Sequence, residues 1–433
     1  MEHKICLHGL CLKNKGQLLT VVQKLLPPST VKNKIKEKYL SDDNLLKYKR
    51  TKFVPVYPVG YKVTCITGVM VINDNLHPLN EVIIQYESEA LGECRKLVQR
   101  LLASKIKFVL EEPDLLMRAK QLRGRSSMQD MALYDEDNVA TALYCHLPWH
   151  IYASSKTWGE LLTCTNERNL VRQLRVKLRR LRSCLTFFKE LLPATTFEQY
   201  KMLVKRWTNV LGEVREYDVA LLTCMKIRNA QKGEDSGEEV SRLEEVSRLE
   251  EVLQEYRAKA SKKILSSNKL NAVTLQFVEM ILVLQNTALP KKFAEMRLKA
   301  FIRLRLGLWC DKLMTLQEKY PEFSDMEQLH KLRLKVKRFR YGLQGVPEIY
   351  LPNSLLRSLK TLQDMLGLLH DDYVNDMLIG EIMQQYPEDA ALQYEGAMFC
   401  GWERAKAEAS LASLPGLWDN FTAQLGDWRE EHL

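Results

Sequence analysis

The chain is 433 residues long, 46% of them hydrophobic, and its 64 Lys and Arg exceed its 54 Asp and Glu to give a formal net charge of +10. That length suggests two or three domains with real apolar cores. The ten cysteines are scattered from Cys6 to Cys400 without a Cys-x-x-Cys pair, which argues against a disulfide framework or a zinc site and for reduced thiols in a cytoplasmic protein.

The opening Met-Glu-His-Lys-Ile-Cys lacks the positive region and apolar core of an export signal. Residues 1–125 are expected to form a small α+β domain. Tyr61 to Asn73 and Glu81 to Glu87 are rich in Val, Ile, Thr and Tyr and read as a hairpin or neighbouring strands joined by Asp74 to Asn80. Helical spacing follows through Leu91, Cys94, Leu97, Leu101 and Leu102. A strand over Lys105 to Leu110 and a helix from Pro113 to about Leu122 complete the unit. The polar run from Gln121 to Asn138 contains Gly124, Ser126 and Ser127, and a linker is assigned to 126–138.

From 139 to 433 nearly every pattern is helical. Pro148 is expected to interrupt the first helix. Thr165 is a candidate cap for the next, which should stop at Pro193. Thr196 to Gln199 and Ser324 to Glu327 have the form of capping boxes, while Gly345 and Pro347 are stop signals. Val273 to Leu284 is the most apolar stretch; Gln276 and Glu279 interrupt it and it is too short for a bilayer, so it reads as a buried helix. Glu238 to Leu253 repeats Glu-Glu-Val-Ser-Arg-Leu with a period of six, which suits neither a heptad nor a buried stripe and reads as a solvated helical segment.

The strongest signal is an eleven-residue pattern that occurs twice. Arg172-Gln-Leu-Arg-Val-Lys-Leu-Arg-Arg-Leu-Arg182 and His330-Lys-Leu-Arg-Leu-Lys-Val-Lys-Arg-Phe-Arg340 place basic groups at i+3, i+5, i+7, i+8 and i+10 both times. At about 100° per residue, positions i, i+3, i+7 and i+10 share one stripe of a helix, and i+2, i+6 and i+9 share the opposite side. Like charges at such spacings repel by a few tenths of a kcal/mol per pair, so the pattern is unfavourable unless an anion lies against it. A field of this density points to a polyanionic partner. The repeat continues: Leu211-Gly-Glu-Val-Arg-Glu-Tyr-Asp-Val219 aligns with Leu366-Gly-Leu-Leu-His-Asp-Asp-Tyr-Val374, and Lys205 aligns with Lys360. The halves fall at about 139–265 and 266–433. Gly212 and Gly367 suggest close helix contacts, and Arg215 with Asp218, and His370 with Asp371, have the spacing of local ion pairs.

This doubled motif resembles the CHAD family of α-helical domains over about residue 140 to the C-terminus. The resemblance implies a mainly α fold, two pseudo-symmetric four-helix bundles around a basic channel preceded here by the small α+β domain, and non-catalytic binding of inorganic polyphosphate without a cofactor. Stripe and resemblance together nominate Arg172, Arg175, Arg179, Arg180, Arg182, Lys205, Arg215, His330, Arg333, Lys337, Arg338, Arg340, Lys360 and His370 as binding residues. Lys177 and Lys335 stand off the stripe. Two positions depart from the family pattern: Arg172 replaces its first histidine, and His370 replaces an asparagine. Both retain a hydrogen-bond donor.

The N-terminal unit resembles a shortened CYTH domain. Active members of that family hold a divalent metal with clustered carboxylates, and here Ile83 and Gln85 stand where acids are expected, with Glu2 and Lys4 as the remnants of a Glu-x-Glu-x-Lys strand. Metal-dependent triphosphate or polyphosphate hydrolysis is therefore expected to be absent. Single-stranded nucleic acid is the alternative partner. It is disfavoured because neither basic stripe carries an aromatic for base stacking. A scaffold for other proteins at polyphosphate granules is compatible with the leading expectation, and membrane insertion is not expected.

Overall fold

The computed structural model describes residues 2–10, 12, 15–41, 44–57, 59–122, 138–163, 167–231, 247–265, 270–319, 323, 326–343 and 353–432. The expected linker at 126–138, apart from Asn138, lies outside them, as do Thr165, Ser324, Gly345, Pro347 and the six-residue repeat as far as residue 246. Two compact units are formed, one by Met1–Val204 with Ser266–Leu298 and the other by Lys205–Leu265 with Lys299–Leu433.

The first unit is built on a six-stranded antiparallel sheet: β1 (Glu2–Leu10), β2 (Ser29–Ser41), β3 (Asn44–Pro55), β4 (Tyr61–Ile72), β5 (Asn75–Glu87) and β6 (Lys107–Glu111), in the order β2-β3-β4-β5-β1-β6. The expected hairpin is present but tighter. Its turn is Asn73-Asp74, both with positive φ (49° and 60°), the geometry of a two-residue turn whose twist matches its strands, so Leu76 to Asn80 pair within β5.

One face of this sheet carries Ile5 and Leu7 of β1, Val63 and Cys65 of β4, Val82 and Ile84 of β5, and Phe108 and Leu110 of β6, all buried. Helices α1 (Lys15–Leu25), α2 (Leu91–Leu102), α4 (Val139–Leu161) and α9 (Leu270–Asn286) pack against the strands. Polar groups pin them: Ser155 Oγ accepts from the Leu110 amide at 2.9 Å, and Thr274 Oγ1 donates to the Phe108 carbonyl at 2.7 Å. The buried character expected of Val273 to Leu284 is realised in α9. Among the described residues the opposite face carries α3 (Leu115–Leu122), whose Leu115 and Ala119 join Leu46, Ile66 and Met70.

Helix α4 runs straight through Pro148, against expectation. The buried series Val139, Leu143, Leu147 and Ile151 continues across the proline, and that burial outweighs the lost backbone hydrogen bond. Asn138 caps the helix, its Oδ1 accepting from the Thr141 amide at 2.8 Å. Helix α5 (Glu167–Phe187) also belongs to this unit, and α6 (Ala194–Val210) begins two residues before the expected capping box. Its Phe197 amide already donates to the Pro193 carbonyl at 2.9 Å, so Thr196 is inside the helix.

The second unit holds α7 (Gly212–Gln231), α8 (Arg248–Leu265), α11 (Leu298–Lys319), α12 (Met326–Leu343), α13 (Asn353–Gln385) and α14 (Ala390–His432), while the short α10 (Lys291–Ala294) belongs to the first. The end of the repetitive stretch, from Ser247 to Leu253, is no solvated segment. Leu249, Val252 and Leu253 of α8 are buried, as is Glu250, which accepts from Arg228 at 2.6 Å. Gly367 lies within α13 with nothing near enough to touch an added Cβ, so the close helix contact expected there is absent. The mainly α fold with an N-terminal α+β part is as anticipated.

Candidate functional site

Helix α5 presents the two sides that its periodicity demands. Val171, Leu174, Leu178, Leu181 and Leu185 are buried, and the helix packs on α4. Away from that seam, Arg172 and Arg180 are exposed and Arg175, Arg179 and Arg182 are half-buried. Lys177 takes another direction: its ammonium donates to Thr157 Oγ1 of α4, and burial holds its pKa below the ordinary lysine value. Two α4 histidines that sequence reading passed over, His146 and His150, are buried in this unit. Their spacing of four in Cys145-His-Leu-Pro-Trp-His150 was the available signal. Burial pushes His146 down to about 4, and burial, His146 and Arg180 push His150 down to about 3.

Helix α12 repeats the arrangement in the second unit. Leu332, Val336 and Phe339 are buried, the i+2, i+6 and i+9 positions of the motif, and Phe339 meets Phe421 of α14 edge-on at 6.5 Å. His330, Lys337 and Arg340 are half-buried and Arg338 is exposed. Arg333 is not an open cation: it is only 8% exposed, and its Nη2 lies 3.6 Å from Asp371 Oδ1 on α13. Burial, then Arg338 and Lys312, lower the Lys335 pKa.

The two helices of this pair bring together His330 and His370, whose Nδ1 atoms are 3.1 Å apart. Burial, then Arg333, then Lys337 hold His330 below the ordinary histidine pKa. Lys360 is exposed two turns or more before His370 on α13; Lys205 is exposed near the end of α6, and Arg215 is half-buried on α7. Asp218, which is buried, accepts from Arg257 Nε of α8 at 2.7 Å, because a carboxylate facing a helix seam needs a partner across it. Asp371 faces Arg333, and His370 meets His330. Beyond Asp371 the helix turns acidic, and burial, Glu403 and Asp376 raise Asp372 to about 6.

Residues 157–379, just over half of the chain, match the family model described as the CHAD domain. The chain belongs to the CHAD family. Among solved structures it is similar to the CHAD domain from the plant Ricinus communis, with 20% identity, 66% of this chain and 93% of that one covered, and a TM-score of 0.48. PptA from Streptomyces chartreusis is 16% identical over 65% of this chain and all of its own, with a TM-score of 0.50. That second likeness is one of fold alone. No curated protein matches the chain.

The CHAD match opens inside α4 and closes inside α13, so it contains both basic helices and the His330–His370 contact. Among the described residues no group of three or more His, Cys, Asp or Glu is arranged to hold a metal ion. No described helix is long and apolar enough to cross a membrane.

Proposed function

We propose that this CHAD chain binds inorganic polyphosphate along its two basic rows and does not turn it over. The observation that carries the reading is the register: α5 and α12 present Arg172, Arg179 and Arg182, and His330, Lys337 and Arg340, at equivalent positions while the equivalent apolar positions are buried. Guanidinium groups fork onto phosphate oxygens and ammoniums act as movable point charges. A row from i to i+10 rises about 15 Å, enough for several consecutive phosphates of a flexible chain. Release of counterions would supply much of the affinity. His330 and His370 add nitrogen donors beside the second row, and bound phosphate favours their protonation.

Trp207, Tyr217 and Phe339 are buried, so none of these three offers the stacking platform that single-stranded nucleic acid would need. A scaffold for other proteins at polyphosphate granules is compatible with such binding. Competition decides the matter: long-chain polyphosphate against single-stranded RNA of equal charge, across a salt series, with and without Mg²⁺ and with an assay for released phosphate. Polyphosphate should win and no phosphate should appear. Preference for RNA, or phosphate release, would overturn the proposal.

A further inference from the structure

Strand β2 is the outer edge of the N-terminal sheet and, among the described residues, pairs with β3 alone. The direction of its ladder can be read. The Val56 amide donates to the Pro28 carbonyl at 2.9 Å, which makes these two a hydrogen-bonded pair one step ahead of Ser29 and Pro55 in the register. Bonded pairs recur at every second residue of an antiparallel ladder. The main-chain groups of Lys32, Lys34, Lys36 and Lys38 are therefore taken up by β3, and those of Val31, Asn33, Ile35 and Glu37 point to the open edge. An edge of this kind is a template for another strand.

The side chains say which strand fits. The four lysines share one face, and among the described residues none of them has a carboxylate within ion-pair distance. Lys36 and Lys38 also line a cleft with Lys4, Arg50 and Lys52, where Glu112 and Asp114 stand in the same wall; Lys32 and Lys34 do not line it. On the other face Val31 and Ile35 are 45% and 73% exposed, although farther into the sheet that face is covered by helices. Glu37, beside them, is paired with Lys47 at 3.1 Å. The open edge thus has a cationic face and an apolar one.

We propose that β2 accepts, as an added strand, an extended segment of a partner protein in which Asp or Glu alternates with apolar residues. Main-chain hydrogen bonds to the outward groups of Val31, Asn33, Ile35 and Glu37 hold it, and the alternating side chains select it. Its carboxylates lie beside the lysines, and its apolar residues lie beside Val31 and Ile35. A second copy of this chain is a poor occupant, because a continuous antiparallel sheet would set lysine row against lysine row. A phosphate polymer satisfies the lysines but brings no donor for the outward carbonyls and nothing for the apolar face.

The test uses the full chain carrying Arg172→Gln, Arg179→Gln, Lys337→Gln and Arg340→Gln, so that the basic helices do not compete. The probe is a blocked, fluorescent nonapeptide that alternates Glu with Val, followed by anisotropy. Saturable binding is expected. It should weaken at least tenfold when the same residues are rearranged into a Glu block and a Val block, and when alternate peptide amides are N-methylated at Val or at Glu, since one of those sets faces β2. Ile35→Pro removes an outward donor and spares the ladder to β3; with the melting temperature retained it should also cost at least tenfold. Lys32→Gln with Lys34→Gln should act in the same direction. Residue-resolved amide exchange should slow at Val31, Asn33, Ile35 and Glu37 in the complex. No binding, equal binding of the block peptide, binding that survives both N-methylated peptides, affinity unchanged in both variants, or self-association of the chain that excludes the peptide would overturn the proposal. Because the helical rows are substituted throughout, these outcomes are independent of the polyphosphate reading.

Discussion

The Nδ1 atoms of His330 and His370 are 3.1 Å apart, and their ring centroids are 4.7 Å apart. A hydrogen bond between two imidazole nitrogens requires one to donate and the other to accept, so the contact survives at most one added proton. Burial, Arg333 and Lys337 already favour neutral His330. Its midpoint, followed by imaging the ring nitrogens by NMR, should therefore fall below 6.5 in the free protein. Bound polyphosphate reverses the local field and should raise it. Calorimetry near pH 6 in two buffers of different ionisation enthalpy should register proton uptake on binding; none would place the pair away from the polymer.

The buried α4 histidines should make the first unit acid-sensitive. Both pKa values are depressed, to about 4 for His146 and about 3 for His150, so stability is fully present above 6.5 and is lost as pH falls below it toward those values. For His146 the full loss is on the order of 3 kcal/mol. Neither of its ring nitrogens has a hydrogen-bond partner, and the ring stacks near Phe188 at 6.4 Å. His146→Phe should raise the melting temperature, more at pH 5 than at pH 8. An equal change at both pH values would show that this ring does not resist protonation.

Arg118→Met should destabilise the sheet by about 3–5 kcal/mol, the usual consequence of leaving a buried charge without its partner. Burial alone would raise the Glu81 carboxyl, but Arg118 and His8 outweigh it and hold the group at about 2. That contribution is complete above the ordinary carboxylate value near 4.5 and is lost as pH falls toward about 2. Urea titration checks the size of the effect. A variant as stable as the parent would mean that Glu81 finds compensation elsewhere.

Along the basic rows, single replacements of Arg172, Arg179, Lys337 or Arg340 by Gln should weaken polyphosphate binding and each reduce the slope of log K against log salt by up to about one. Lys177→Gln should change the slope little, because its ammonium is turned onto Thr157. Equal effects at Lys177 and Arg179 would count against the stripe.

Much of the helical region was legible because periodicity is a local property. The burial of Leu174, Leu178 and Leu181, and of Leu332, Val336 and Phe339, follows from where each residue falls on its own helix, whatever the helix meets. The strands of the first sixty residues were not recognised, although Lys32, Lys34, Lys36 and Lys38 alternate with period two. A lysine-rich strand lacks the apolar alternation that marks a half-buried one, and it is tolerated here because β2 is an edge strand.

By itself, then, the sequence determined the mainly helical character of the chain beyond residue 139, which side of α5 and α12 is apolar, and that the same basic register occurs twice. Only tertiary structure decided that Asp218 meets Arg257, that Arg333 is drawn under Asp371, that His330 meets His370, and that the sheet's lysines share one cleft. Each of those pairings joins residues distant in the chain, and their distance in space depends on how separate elements pack, which no local pattern of side chains encodes.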